Sequence, residues 1–227
     1  MAKRKTTVVD DSPYFEENGR LMKRQYNADG ELTEPQNVGR YSRIFEKVRN
    51  IETGQVIVVV EFSYGGEVAR FETSRGNLLR SKIGVLAEQG IDVSDRSALD
   101  VLDNLRHTEE KASLRLVHTH AGYSQMDEKL VYKHARIKGS ESRYAGKLRL
   151  GPSGQEKEFR RLLKDHVFGH APLELALAIG LSAPLSSLLS RVVNSNVVLV
   201  HFFGNSTTGK TTAARLAVAP FGFPATG

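Results

Sequence analysis

The residues in this chain best suited to chemistry are Gly204-Asn205-Ser206-Thr207-Thr208-Gly209-Lys210-Thr211. They fit G-x-x-x-x-G-K-[ST], the spacing of a phosphate-binding loop. Gly204 and Gly209 allow backbone angles that a side chain would oppose. The loop can then turn successive N–H groups of Asn205, Ser206, Thr207, Thr208, Gly209 and Lys210 inward onto phosphate oxygens. A helix opening near Gly209 would add its positive end to the same oxygens. Lys210 would reach the β and γ phosphates as a mobile charge, and is the expected catalytic residue. Thr211 would offer its hydroxyl to Mg²⁺, with Thr212 completing the cofactor-binding set. The expected cofactors are therefore ATP and Mg²⁺. Such a loop needs a strand before it and a helix after it. Val197-Val198-Leu199-Val200-His201-Phe202-Phe203 is apolar apart from His201, as a strand covered on both faces would be. Thr211 to Val218 reads as the helix.

A P-loop ATPase also needs an acid to hold Mg²⁺ and orient water, and that acid normally lies downstream. The chain ends at Gly227, soon after Lys210. The sequence therefore reads as a fragment, truncated after this motif and unable to hydrolyse ATP as it stands. Upstream, Val58-Val59-Val60-Glu61 and Val8-Val9-Asp10-Asp11 each end an apolar run in acid. Using either would require a permuted sheet, against the tendency of consecutive elements to be neighbours.

Other candidates have plainer readings. His118 and His120 would share one face of a strand and could reach one metal, but no third ligand lies at close spacing, and ordinary strand histidines account for them. Asp10-Asp11 and Glu16-Glu17 read as solvated charges. Lys129, Lys133, Arg136, Lys138, Arg143 and Lys147 are interleaved with Tyr132 and Tyr144. Such a pattern can stack bases and hold phosphates. Glu141 interrupts it, so a solvated face is the simpler account. Arg160 and Arg161 could extend the patch.

The elements that must position these groups follow from pattern. With 227 residues and 40% hydrophobic composition, the chain can bury a core without staples. It has no cysteine, which excludes disulfides, thiol catalysis and Cys-ligated zinc or iron–sulfur clusters, and fits a reducing compartment. The net charge of +6 leans mildly toward polyanionic partners. No apolar stretch follows the basic N-terminus Met1-Ala2-Lys3-Arg4-Lys5, so no secretory signal is read there. The most apolar region, Ala171 to Val193, contains Glu174, Gly180, Pro184 and Arg191 and reads as a buried helix pair, Pro172–Gly180 and Pro184–Val193. A location in the cytoplasm, away from membranes, is expected.

Residues 1–18 read as a tail. From Gly19 to Arg75 the pattern is a meander of antiparallel strands: Arg20–Tyr26, Tyr41–Asn50, Gln55–Phe62 and Val68–Thr73, with turns at Asn27-Ala28-Asp29-Gly30, Thr53-Gly54 and Gly65-Gly66. Arg75–Gln89 reads as a helix stopped by Gly90. Ser94–His107 reads as a capped helix with Leu99, Leu102 and Leu105 on one face. Short strands are expected at Leu114–His118 and Leu130–Ile137, and an amphipathic helix at Gln155–Lys164. Gly139–Gly154 is the expected linker. The fold class is thus α/β: an N-terminal α+β region over residues 19–150, followed over 151–227 by the first βα unit of an incomplete P-loop NTPase core.

Taken with the helix Gln155–Lys164, the stretch Ala171-Pro172-Leu173-Glu174-Leu175-Ala176-Leu177-Ala178, Ser182-Ala183-Pro184-Leu185, the loop through Thr212 and Phe221-Gly222-Phe223-Pro224, the chain resembles the domain-of-unknown-function family numbered 927. Phe71-Glu72-Thr73-Ser74 and Ala121-Gly122-Tyr123 sit where that family has a strand-to-helix step and a glycine–aromatic pair. The family usually has Trp where this chain has Tyr123. The resemblance covers about residues 40–227. It implies an ATP-binding, helicase-like P-loop protein of phage, plasmid or mobile-element primase–helicase polypeptides, associated with DNA replication or mobile-element maintenance. Nucleotide, single-stranded DNA and a homo-oligomeric full-length form are the partners it implies. Two other classes remain: a nucleic-acid-binding module without nucleotide turnover, and a small-molecule P-loop kinase. The long N-terminal region argues against the kinase.

Overall fold

The computed structural model describes residues 12–126, 128–151, 153–193 and 199–223. The chain forms two compact units, residues 1–115 and 116–227.

The first unit opens with an antiparallel sheet of β1 (Tyr14–Glu17), β2 (Arg20–Lys23) and β3 (Gln36–Arg40). Glu17 pairs with Arg20 across a two-residue turn, Asn18-Gly19, at φ 51° and 75°. Those angles fit a turn whose twist matches the strands, and Asn-Gly is the pair that tolerates them. Part of the expected tail is therefore strand, because Asn18-Gly19 closes a hairpin onto it. Residues 1–11, including Asp10 and Asp11, lie outside the described residues.

Next comes the expected meander: β4 (Ser42–Asn50), β5 (Val56–Tyr64) and β6 (Glu67–Ser74). Gly65 and Gly66, at φ 60° and 86°, close the β5–β6 hairpin. β4 carries one extra residue where Ile44 pairs with Val60 and Glu46 with Val59. This bulge re-aims Phe45, which is exposed. Arg75–Gln89 is not one helix. It is two short 3-10 turns, Arg75–Leu78 and Arg80–Lys82, then α1 (Ile83–Glu88), with Gly90 at φ 99° ending it. Only Leu78 and Leu86 of this stretch need to be fully buried, and broken turns place both.

α2 (Ala98–Lys111) starts later than expected, because Ser94 and Ser97 hydrogen-bond each other's N–H in a turn ahead of it. Its inner stripe is Val101, Leu102 and Leu105, not Leu99, which is exposed. These residues join Leu21, Val58, Val60, Phe62 and Leu86 in the core. Tyr14 ties the first sheet to α2, donating its hydroxyl to Asp100 (3.0 Å), while Lys23 pairs with Asp100 at 2.7 Å. Burial, followed by the Asp100 hydrogen bond and charge, pushes the Tyr14 phenol well above its usual range.

β7 (Ser113–His118) carries the chain from the first unit into the second. The second unit contains the hairpin β8 (Gly122–Met126) and β9 (Lys129–Lys133), with Tyr123 opposite Tyr132. β10 (Arg143–Tyr144) pairs in parallel with Val117 and His118. The stretch expected as a linker, Gly139–Gly154, lies inside this unit and contributes that strand. α3 (Glu156–His166) follows as expected, held on its surface by Arg160–Glu156 and Arg161–Glu158 pairs.

The expected helix pair is instead one helix, α4 (Ala171–Val193), with Pro184 inside it. Proline removes one backbone hydrogen bond but does not end the helix here. Nor is α4 buried as a whole: Ala176 and Leu177 are, while Leu175, Leu181, Leu185 and Leu189 are exposed. No helix among the described residues is long and apolar enough to cross a membrane. α5 (Lys210–Val218) completes the unit. The expected strand at 197–203 is not seen over 199–203, where the described residues form no strand. Leu199 and Phe203 are 90% and 88% exposed. Val197 and Val198 lie outside the described residues, as do Pro152 and Pro224.

Candidate functional site

The G-x-x-x-x-G-K-T segment forms a tight bend that leads directly into α5. Gly204 has φ 152° and Gly209, the residue capping α5, has φ 81°. Thr207 also lies at positive φ, 66°, a conformation that β-branched residues rarely adopt. The bend is exposed from Gly204 to Gly209. Among the described residues, no hydrogen bond uses the N–H groups of Ser206, Thr207, Gly209 or Lys210. Side chains brace the bend from within: Thr208 Oγ1 donates to the Asn205 carbonyl at 2.9 Å and Thr207 Oγ1 to that of Ser206 at 2.6 Å. Lys210 Nζ donates to the carbonyls of Gly204 (2.9 Å) and Asn205 (2.5 Å), so its ammonium lies across the bend. Thr211 and Thr212 are exposed in the first turn of α5.

α4 fixes where this bend lies. At Gly180 a Cβ would fall 1.9 Å from the Ala217 carbonyl oxygen, so the missing side chain permits backbone contact between α4 and α5. At the other end, Pro172 and Leu173 of α4 share a cavity of about 600 Å³ with Gly209, Lys210 and Ala213. The two helices therefore run side by side in the same direction, with both N-terminal ends at the cavity. His170, Phe202 and Phe203 complete its apolar and aromatic wall. His170, Leu173 and Phe202 carry no motif that assigns them this role. Nothing local marks them, since their meeting depends on the Gly180–Ala217 contact.

The residues present suit a polyphosphate. Two glycines hold the bend open, amides stand undonated at a helix N-terminus, and a lysine ammonium is within reach. No carboxylate lines the cavity among the described residues, so an anion meets no like charge there. The apolar wall suits an aromatic base. For a divalent cation, Thr211 is the one expected protein ligand the bend provides.

The end of α5 is also held. Phe221 N–H donates to the Val218 carbonyl, and Phe223 N–H to the Arg149 carbonyl at 3.1 Å. At Gly222 a Cβ would fall 2.4 Å from that Arg149 oxygen. His134 Nε2 donates to the Phe221 carbonyl at 2.6 Å. His118 is fully buried, with Nε2 donating to the His134 carbonyl (2.6 Å) and Nδ1 accepting from Ser142 (2.9 Å). A carbonyl only accepts, which places the ring proton on Nε2. Both His118 nitrogens are thus used structurally and His120 is exposed beyond the strand, so the two histidines do not form a metal pair. No cluster of three or more metal-ligating side chains occurs among the described residues.

The basic patch is split. Lys133 is buried and Tyr132 stacks on His134, while Lys129, Arg136, Lys138, Arg143 and Lys147 are exposed. The upstream acid Glu61 is engaged in the first unit. Arg43 meets it at 2.6 Å and Arg70 at 2.5 Å, from the strands on either side. Burial pushes the Glu61 carboxyl up, but hydrogen bonds and charge from Arg70 and Arg43 outweigh it and leave the group below its ordinary value.

A comparison with curated proteins found no match. A solved structure described as SCCmec type IV Cch, an active helicase, is similar in fold, with a TM-score of 0.63 and 20% identity. The similarity covers 97% of this chain and 43% of that one, so this chain spans less than half of that protein's length. The profile of the family described as Domain of unknown function (DUF927) matches residues 15–226, and the chain belongs to that family.

Proposed function

We propose that the chain binds ATP with Mg²⁺ through the bend ahead of α5, as the nucleotide-binding part of a helicase-type ATPase. The observation that carries this reading is the bend itself: Gly204 and Gly209 at positive φ, the undonated amides of Ser206, Thr207, Gly209 and Lys210, and Lys210 at the head of α5. The backbone amides would cradle phosphate oxygens, and Lys210 would neutralise the charge of the outer phosphates. Thr211 would supply a hydroxyl ligand to Mg²⁺, which would bridge the phosphates. Pro172, Leu173 and Phe202 would pack against the base, away from water. Fold similarity to a protein described as an active helicase supports the class of machine. No carboxylate that could orient water is among the described residues lining this cavity. On this reading the chain binds nucleotide, and turnover requires a carboxylate brought to it. Single-stranded DNA is the proposed track, self-association the proposed form of the working assembly, and replication of mobile DNA in the cytoplasm the proposed setting.

Calorimetric titration with Mg·ATP tests it. Saturable binding is expected in the protein as it stands. Lys210→Ala, which removes a half-buried side chain from the surface of α5, should weaken binding at least tenfold, the scale of one charge-assisted contact to phosphate. Equal affinity in the two proteins would remove Lys210 from the site.

A further inference from the structure

The first unit holds a second cleft, of about 410 Å³, between β1, β4 and α2. Its floor contains Asn104, which is 2% exposed and donates through Nδ2 to the Ser42 carbonyl at 2.6 Å. One turn along α2, His107 also lines the cleft, and its Nε2 is buried with no partner. The other buried side-chain atom without a partner among the described residues is Ser42 Oγ, on the residue that Asn104 contacts. Ser42 does not line the cleft, whereas His107 does; buried polar groups are nearly always paired, so an unpaired nitrogen on a lining residue calls for a cause. The walls and rim supply one. Phe15, Tyr41 and Phe45 line the cleft as aromatic surfaces, and Arg43 and Lys111 bring positive charge. Two further guanidinium groups stand over these rings, Arg24 at 5.4 Å from the Phe15 centroid and Arg70 at 3.6 Å from that of Phe45. Among the described residues, Glu16 is the one carboxylate in the lining. The bulge in β4 presents Phe45 here: regular pairing would have continued the strand's alternation through it.

Aromatic faces beside cations, with a polar edge-reader at the floor, are what a nucleobase and its flanking phosphates require. The volume suits one nucleotide on the scale of small-molecule pockets. An acidic peptide would use the cations but leave the rings and the His107 edge unmatched. We propose that this cleft takes one base of single-stranded nucleic acid, packed against Phe15 and Phe45, its edge meeting His107 and its phosphates meeting Lys111 and the side of the Arg43 guanidinium that Glu61 does not hold. The site lies wholly within the first unit and does not depend on nucleotide binding at the loop before α5.

Fluorescence anisotropy with labelled oligothymidylate and oligouridylate at low salt tests the proposal. The protein should bind at least one of them, and which one distinguishes DNA from RNA as the source. The double variant Phe15→Ala/Phe45→Ala should bind about tenfold or more weakly, the scale of losing base stacking. Lys210→Ala should bind as well as the unaltered protein, which separates this site from the loop. Polyphosphate and oligoglutamate should compete poorly. Photocrosslinking the unaltered protein to thiothymidine oligonucleotides gives a readout free of folding effects, and adducts should map to residues 14–16, 41–45 or 104–113. Absence of binding at low salt, equal affinity in the double variant, polyphosphate or oligoglutamate competing as well as the oligonucleotide, or adducts confined to Lys129–Lys147 would each overturn it.

Discussion

Replacing Gly180 by alanine should disable the phosphate loop from a distance. The new Cβ would fall 1.9 Å from the Ala217 carbonyl oxygen, and 2.6 and 2.8 Å from two more Ala217 backbone atoms. Real Cβ contacts below 3.0 Å essentially do not occur, so the far end of α5 must withdraw by at least about 1 Å. The obstructing atoms are backbone, so no side chain can rotate aside. Overpacking of this kind costs about 1–3 kcal/mol. Because Lys210 and Thr211 stand on α5, the shift moves them relative to Pro172 and Leu173. Mg·ATP affinity should fall at least tenfold, together with a lower melting temperature by about 2–4 °C for each kcal/mol lost. Leu181→Ala, at the adjacent exposed residue, is the control and should change neither. Calorimetry and thermal melting of the three proteins give the answer. Native affinity and melting in Gly180→Ala would refute the argument that α4 and α5 touch through their backbones at this point.

Three further outcomes are expected. Leu105→Ala should cost about 2–5 kcal/mol in urea denaturation, since Leu105 is fully buried in the first unit's core, whereas Leu99→Ala on the exposed side of the same helix should stay within about 0.5 kcal/mol. Glu61 has a folded-state pKa below its ordinary value, so its contribution to stability is present above the unfolded pKa and lost as pH falls through the folded one. Denaturation measured from neutral pH down through the lower carboxylate range should therefore show a slope that is smaller in Glu61→Gln. Lys210→Ala should lose Mg·ATP affinity without losing thermal stability, because its hydrogen bonds go to the Gly204 and Asn205 carbonyls and the Thr208 hydroxyl of an exposed bend.

What could be read from the sequence was what is encoded locally. Gly65-Gly66 and Thr53-Gly54 announce turns because few other residues adopt those angles, and the β4–β6 meander follows them. Asn18-Gly19 carries the same chemistry, but the flanking Glu16-Glu17 and Arg20 are charged and the strands too short to show alternation, so β1 reads as tail in the sequence. Pro184 suggested a break, yet α4 continues through it, because one missing hydrogen bond does not outweigh the turns on either side. The run before Gly204 has strand composition, but a strand exists only as a paired ladder, and among the described residues none pairs with 199–203. In the loop, glycine spacing and the lysine are local, so the motif was legible. Its cavity wall, His170, Leu173 and Phe202, is assembled by helix packing that turns on one glycine far along α4. The orphaned His107 and the bulged Phe45 were hidden for the same reason: both acquire meaning only when α2 lies against β4.

Amide hydrogen exchange with and without Mg·ATP tests the central claim at the atoms it names. If the bend before α5 holds phosphates through its backbone, the N–H groups of Ser206, Thr207, Gly209 and Lys210 should exchange quickly in the protein alone and slow markedly on adding nucleotide. If those amides exchange at the same rate in both conditions, while nucleotide is bound or in its saturating presence, the bend is not a phosphate site and the account of this chain as an ATP-binding protein is wrong.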